Sequence, residues 1–269
     1  EFAVLFDAAS SKPIPSRLGE ASFPIGKNEG MTSVGENRNE SLSLDRDAFC
    51  SEALRLLEGL EMVDPMSFFL IVHAAFEKVM GTETTKRLCF YHIHNPDDFT
   101  KPNFLRYAPD ARLLMTVREP IQCCESLIHF SFKENNYDKT AERILAMLFD
   151  IDQVVFRMRE SVGVRLEDLK TRPEATMKSL CAWLGVKETP SLYEMTAQGK
   201  KWWGDPSSPE YDKAGTMSPF GDASIKRPVG AVFSEKDQFV LGTLFHPFSV
   251  RFGYREPDPG QFSKDLKEV

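Results

Sequence analysis

The chain has 269 residues and carries 33 Lys and Arg against 40 Asp and Glu, a formal net charge of −7 at pH 7. This length is enough for one large α/β domain with a buried core. The acidic balance argues against a nucleic-acid partner or a coat on a membrane surface, because both need a basic surface. Any anionic ligand must therefore be bound by a local group of basic side chains.

Cysteine usage and hydropathy indicate the compartment. The five cysteines are odd in number and form no C-x-x-C pattern, which predicts reduced thiols and a cytoplasmic protein. No apolar run approaches the roughly 18 residues of a membrane span, and no secretory signal begins the chain. No cluster of residues has the spacing of metal ligands, so we expect neither a membrane span nor a bound metal.

The sequence predicts little regular structure before residue 45. The apolar run Phe2–Phe6 is typical of a buried strand. Residues 8–44 are rich in Ser, Gly, Asn and Pro, which predicts an irregular flap. Two amphipathic helices follow, over about 45–60 and 64–79. The second begins with an Asp-Pro pair and ends before a glycine, both of which are helix-boundary signals.

From residue 88 onwards, predicted strands alternate with predicted helices. The strands cover 88–91, 111–117 and 163–166, and the helices cover 97–107, 120–132, 139–161, 173–184 and 234–245. Strands separated by helices are typical of a parallel sheet with helices on both faces. The sequence therefore predicts a single α/β domain, residues 1–269, with a central parallel β-sheet flanked by helices.

One pattern at the end of a predicted strand indicates an anion site. Arg118 directly follows the apolar run 111–117, and Ser126 comes eight residues later, a little over two helical turns into the next helix. A guanidinium, a hydroxyl and the free N–H groups of a helix start together suit a phosphate group. The alternative is that Arg118 pairs with a surface carboxylate and Ser126 has no role.

Two blocks of sequence carry a family resemblance. The Arg118 to Ser126 block resembles the 3′-phosphate-binding motif of PAPS-dependent sulfotransferases, in which a strand ends in Arg-Asp/Asn-Pro and a Ser follows eight residues after the Arg. The run Ala108–Pro120 is similar to the approach to that motif, and Val164–Gly185 is similar to the strand and helix written Tyr-Glu-Asp-Leu to Phe-Leu-Gly. The resemblance covers about residues 88–186. It implies a P-loop-NTPase-like sulfotransferase fold.

The resemblance also implies an activity and its site. A sulfuryl group would pass from PAPS to an acceptor hydroxyl or amine, with PAP released and no metal required. Arg118 and Ser126 would bind the 3′-phosphate. His92 and His94 fall where cytosolic members carry Lys-Thr-His-Leu-Pro, so His94 takes the place of the catalytic base and His92 that of the lysine. Imidazole can accept a hydroxyl proton at neutral pH; the alternative for His94 is a cap on the turn before Pro96.

A short basic segment near the end is similar to the late loop that closes over the 3′-phosphate in this family. It contains Lys226, Arg227 and Gly230. The alternative is a solvated basic turn. Likewise, Lys200–Gly204 pairs two tryptophans with two lysines, which would suit either the acceptor mouth or packing under a loop.

The chain departs from the family pattern in two places. Leu166 stands where many members have a tyrosine that stacks on adenine. The 5′-phosphosulfate loop, a Lys- or Arg-Ser-Gly-Thr-Thr run after a first strand, is not found. Gly26–Ser33 is one degenerate candidate for it. The preferred interpretation is that Phe2–Phe6 is the second strand, with the first strand and the loop encoded upstream of Glu1.

Two other functions are compatible with these observations. A P-loop kinase for a small molecule would need a GxxxxGK[ST] loop and a magnesium ligand. A non-catalytic protein that binds PAP or another nucleotide would keep the fold without the phosphosulfate loop. For the sulfotransferase, a small-molecule or carbohydrate acceptor would be held by residues 8–44, 133–140 and 196–224. The sequence does not indicate the oligomeric state.

Overall fold

The computed structural model describes residues 13–15, 22–24, 32–82, 88–90, 100–151, 160–204, 219–222, 225 and 228–269. The chain divides into two compact units. The first contains Glu1–His92 and Glu188–Pro219, and the second contains Ile93–Lys187 and Phe220–Val269. No helix within the described ranges is long and apolar enough to cross a membrane.

The elements of the described residues are short strands and helices of up to 15 residues. In chain order they are β1 (Pro13–Pro15), β2 (Ser22–Pro24), β3 (Thr32–Val34), β4 (Glu40–Ser41), α1 (Arg46–Leu57), α2 (Pro65–Val79), α3 (Thr100–Tyr107), β5 (Leu113–Val117), α4 (Pro120–Lys133), α5 (Tyr137–Ile151), β6 (Ser161–Arg165), α6 (Leu166–Thr171), α7 (Pro173–Leu184), a 3₁₀ turn (Pro190–Tyr193), β7 (Thr196–Ala197), β8 (Lys200–Lys201), α8 (Glu235–Leu244), α9 (His246–Arg251) and α10 (Pro259–Glu268).

The first unit contains small antiparallel pairings and a helix pair. β1 pairs with β2, β3 with β4 and β7 with β8, each antiparallel. The α1 and α2 helices begin where the Asp45 and Asp64 side chains accept backbone N–H bonds, as N-cap residues do. Their apolar faces bury Phe49, Ala75 and Phe76 together. Both predicted helices are therefore confirmed.

The second unit contains a parallel strand pair. β5 pairs with β6 in parallel register, with Val117 opposite Arg165. The mixed α/β prediction is confirmed, whereas the wider central sheet and the single domain stay predictions. The predicted strand at 88–91 does not form across its described residues 88–90. Leu88 and Phe90 there are 48 % and 66 % exposed, so this apolar run is not paired with a neighbouring strand or buried in a core.

The helices of the second unit match their boundary signals. Pro120 and Pro173 each stand at the first position of a helix, where the missing N–H is not needed. α7 ends at Leu184, and the C-cap Gly185 that follows has φ 70°, a left-handed conformation that favours glycine. The core beneath α4 is formed by Cys124, Ile128, Phe233, Leu241 and Phe245. It fixes α4 against α8 and the segment that precedes α8.

Candidate functional site

Arg118 directly follows the last residue of β5 and stands two residues before Pro120, the first residue of α4. Its Nε and Nη2 donate hydrogen bonds to Oε1 of Gln122 at 2.9 and 2.6 Å. Gln122 stands one helical turn further along α4. An amide oxygen is a hydrogen-bond acceptor, so these two hydrogen bonds orient the guanidinium.

Two backbone N–H groups at the start of α4 donate to acidic side chains. The Gln122 N–H donates to Oε2 of Glu119 at 2.7 Å, and the Glu119 N–H donates to Oε1 of Glu167 at 2.9 Å. Glu119 therefore caps the helix, where the resembling motif carries Asp or Asn. The N–H of Gln122 is used within the chain, whereas the sequence predicted that helix-start N–H groups would contribute to the phosphate site.

Four polar residues form one face of α4, which we call the polar face: Gln122, Glu125, Ser126 and His129. Their spacing of i, i+3, i+4 and i+7 places them on the same side of a helix. Together with Pro228, Val229 and Ala231 they line a cavity of about 280 Å³. The structure thus brings Ser126 next to the segment that contains Gly230, about a hundred residues further along the chain.

Glu125 connects the polar face to that segment. The residue is only 6 % exposed, and its two carboxylate oxygens accept hydrogen bonds from the backbone N–H groups of Gly230, Ala231 and Phe233 at 2.9 to 3.2 Å. Burial raises the pKa of this carboxyl, but the backbone N–H bonds together lower it by more than burial raises it. The pKa therefore lies below its ordinary value. Glu125 is therefore a buried carboxylate at neutral pH.

Sequence reasoning did not identify Glu125. The available signal was its place in the stripe with Gln122, Ser126 and His129. Gly230, which the resemblance placed at the 3′-phosphate, has φ 117° and donates its N–H to Glu125. A side chain would be strained at that φ, so the glycine allows this segment to turn towards α4.

Four of the predicted site residues lie outside the described residues: His92, His94, Lys226 and Arg227. Arg118, Ser126 and Gly230 are described, and all three belong to the second unit.

Glu167 and Asp168, the acidic pair of the block Val164–Gly185, connect the region after β6 to neighbouring segments of the second unit. Oε2 of Glu167 accepts the Tyr254 hydroxyl at 2.7 Å, while its Oε1 receives the Glu119 N–H. Asp168 forms ion pairs with Arg165 and Arg172 at 2.8 and 2.6 Å.

These contacts also shift the pKa values of Tyr254 and of Asp168 itself. The pKa of Tyr254 is raised, first by burial and then by its hydrogen bond to the Glu167 carboxylate. The Arg165 guanidinium holds the pKa of Asp168 below its ordinary value. Glu167 and Asp168 thus orient neighbouring elements of the second unit.

The two thiols of α4 are not suited to nucleophilic chemistry. Burial raises the pKa of Cys123, and it raises the pKa of Cys124 to about 12. A protonated thiol is a weak nucleophile, so neither cysteine supplies a thiolate at neutral pH. Among the described residues, no group of three or more His, Cys, Asp or Glu is placed to hold a metal ion.

A second, larger cavity of about 450 Å³ lies in the second unit. Its walls come from Val162–Arg165 of β6, from α7 and from the pair Arg251 and Phe252. None of the three described site residues, Arg118, Ser126 and Gly230, lines it. We therefore place the candidate site at the smaller cavity, where Ser126 and the segment before α8 meet.

The tryptophan segment of the first unit is held in packing contacts. The Trp203 ring lies 4.3 Å from the Arg38 guanidinium and 4.2 Å from Nζ of Lys201, and its Nε1 donates to the Gly35 carbonyl at 2.7 Å. These contacts favour the packing interpretation of Lys200–Gly204 over the acceptor mouth.

Comparison with known proteins identifies the family. A family model described as "Sulfotransferase family" matches residues 20–190, which is more than half of the chain. The matched region includes Arg118, Ser126 and both resembling blocks. The chain therefore belongs to the sulfotransferase family, and its expected class of activity is group transfer. No curated protein and no solved structure matches the chain.

Proposed function

We propose that this protein transfers a sulfuryl group from PAPS to an acceptor hydroxyl or amine and releases PAP. The observation that carries the proposal is the cavity in which Ser126, on the polar face of α4, meets the segment 228–231. Arg118 stands at the strand end before the same helix. Ligands of open α/β sheets bind at the carboxyl ends of strands, where helices begin, which agrees with this position.

The proposed donor contacts follow from the charges at this edge. Arg118, oriented by Gln122, and the Ser126 hydroxyl bind the 3′-phosphate. Lys226, Arg227 and the backbone near Gly230 close over it. A cavity of about 280 Å³ lies just below the range of about 300–1,000 Å³ that is usual for small-molecule sites. It therefore fits the phosphate-bearing end of the nucleotide better than the whole donor.

The proposed transfer is an in-line displacement without a metal. A bond forms between the acceptor oxygen or nitrogen and sulfur, the bond from sulfur to the bridging phosphate oxygen breaks, and the acceptor proton passes to His94. His92 stands in the place of the family lysine. Positioning and charge neutralisation supply most of the rate in such a step, as in phosphoryl transfer.

The wider framework of this proposal includes a single domain with a larger parallel sheet, a cytoplasmic location and a small-molecule or carbohydrate acceptor.

The donor site is tested by binding of PAP, measured by calorimetry on the purified chain. Arg118→Ala should weaken PAP at least about 100-fold, because it removes a charged donor from a dianionic group. Arg106→Ala is the matched control, since Arg106 is an exposed arginine of α3 in the same unit. Binding of Mg-ATP in place of PAP would contradict the proposal and favour a kinase. Loss of PAP binding in both variants would show a general folding defect.

The chemical step is tested by transfer of labelled sulfate from PAPS to a pool of hydroxyl and amine acceptors. His94→Ala should keep the PAP affinity and lower kcat by about 10²–10⁴, the usual contribution of a positioned base. Full activity in this variant would place the base elsewhere. PAP binding without transfer by the unmodified protein would favour a non-catalytic nucleotide-binding protein.

A further inference from the structure

The Glu125 carboxylate joins α4 to the segment before α8 by hydrogen bonds. Each oxygen of Glu125 accepts two backbone hydrogen bonds, Oε1 from Gly230 and Ala231 and Oε2 from Gly230 and Phe233. The contact spans more than a hundred residues of sequence. We call the segment 228–233 the anchored segment.

The chemistry of this contact requires a carboxylate. Backbone N–H groups that are withdrawn from water without an acceptor are costly, and only an ionised carboxyl offers two oxygens that accept hydrogen bonds without donating any. An aliphatic side chain at position 125 would leave three N–H groups without this acceptor. A glutamine would turn an N–H₂ group towards at least one of them.

The anchored segment is also held by apolar packing on the neighbouring face of α4. The Phe233 side chain is 6 % exposed and packs with Cys124 and Ile128. Packing fixes the end of the segment at Phe233, together with the hydrogen bond from the Phe233 N–H to Glu125. The N–H bonds to Glu125 fix the part at Gly230 and Ala231, and Ala231 lines the same cavity as Ser126.

From this geometry we propose that Glu125 is a positioning residue that holds the anchored segment at the cavity and thereby sets the affinity for the donor. This role in donor binding rests on the proposed function. Glu125 itself does not need to contact the donor, because its oxygens are already used by the three backbone N–H groups. The segment directly follows Lys226 and Arg227 in the chain, so its position limits where these cations can reach.

The anchoring is tested by hydrogen–deuterium exchange of residues 228–233 in the absence of any nucleotide. Glu125→Gln, which keeps the size of the side chain, should increase exchange of the Gly230, Ala231 and Phe233 amides by about tenfold or more. Glu142→Gln removes an exposed carboxylate from the neighbouring α5 helix and should leave these amides unchanged. Unchanged exchange in Glu125→Gln would overturn the proposal.

The consequence for the donor is tested with the same two variants. Glu125→Gln should raise the KM for PAPS and the Kd for PAP about tenfold while kcat changes less than about threefold, since the reacting groups are intact. Unchanged PAP affinity despite faster exchange would reduce Glu125 to a structural residue and overturn the role in binding. Tighter PAP binding would identify Glu125 as a repulsive charge and overturn it as well.

Two controls separate the possible failures. If the unmodified protein does not bind PAP, the proposed function fails, and with it the role in donor binding, while the exchange result still decides the anchoring. If Glu125→Gln does not fold, Glu125→Asp keeps the charge but shortens the side chain by one methylene. It should expose the Gly230 and Ala231 amides while β5 stays protected, and full protection of these two amides would again overturn the anchoring.

Discussion

Two contacts among the described residues each join a late segment to an early one, and they are built from different chemical groups. In the first unit, residues 200–203 contact residues 35–40, which we call the Trp203 junction. In the second unit, the anchored segment contacts Glu125. The junction contains the ion pairs of Lys200 with Glu40 and of Lys201 with Glu36, the latter at 3.1 Å. The contact at Glu125 contains a carboxylate and neutral N–H groups.

The two contacts differ most in their exposure to water. The Glu40 and Lys200 side chains are 46 % and 39 % exposed, whereas Glu125 is 6 % exposed. Exposed ion pairs contribute about 0–1 kcal/mol and are screened by salt. A buried carboxylate whose acceptor role is removed leaves its partners unsatisfied, which costs more. The same chemical change, a carboxylate to an amide, should therefore have very different effects at the two contacts.

The largest effect is expected at Glu125. At pH 7, Glu125→Gln should lower the free energy of unfolding of the second unit by about 2–3 kcal/mol, because buried N–H donors lose a charged acceptor. Native-state hydrogen exchange at the β5 and α4 amides measures this quantity within the unit. A difference below about 0.5 kcal/mol would remove the distinction between the two contacts.

The same difference should depend on pH. The pKa of Glu125 in the folded chain lies below its ordinary value of 4.5, so its carboxylate contributes stability that is present above pH 4.5. This contribution is lost as the pH falls through the lowered pKa. The gap between the unmodified protein and Glu125→Gln should therefore be constant from pH 7 to about 5 and narrow below that. A gap that widens in acid would contradict the sign.

The smallest effect is expected at Glu40. Glu40→Gln should change the free energy of unfolding of the first unit by less than about 1 kcal/mol, and 0.5 M salt should reduce the difference further. Exchange of the Gly35 amide, which donates to the Lys201 carbonyl at 2.8 Å, reports this junction. A loss as large as that at Glu125, or one that salt does not affect, would mean that the junction depends on this carboxylate after all.

The parts of the fold that were predictable from sequence are those with local signals. α7 begins at Pro173 and ends before Gly185, and both boundaries are encoded within a residue or two of where they occur. The β5 strand and the start of α4 at Pro120 are likewise encoded by an apolar run followed by a proline. Arg118 was placed correctly at the strand end for the same reason.

The parts that were not predictable depend on distant partners. Glu125 accepts hydrogen bonds from residues 105 to 108 positions away, and no local pattern records that pairing. The β7–β8 hairpin has only two residues per strand and turns at Gln198 and Gly199, both with positive φ. The strands are too short to show alternation of apolar and polar residues. The apolar run at 88–90 had the composition of a strand, but whether it is buried depends on neighbours that its sequence does not specify.

The two faces of α4 have a consequence for how the helix tolerates insertions. Gln122, Glu125, Ser126 and His129 face the cavity, while Cys124 and Ile128 face the core. Each residue advances a helix by about 100°, so one residue inserted between Pro120 and Gln122 would rotate every later side chain by that angle. Ser126 would leave the cavity and Glu125 would take its place, while the Cys124 thiol and the Ile128 side chain would turn from the core towards the cavity. The number of residues between Arg118 and Ser126 therefore sets the direction in which Ser126 points, as well as its distance along the helix.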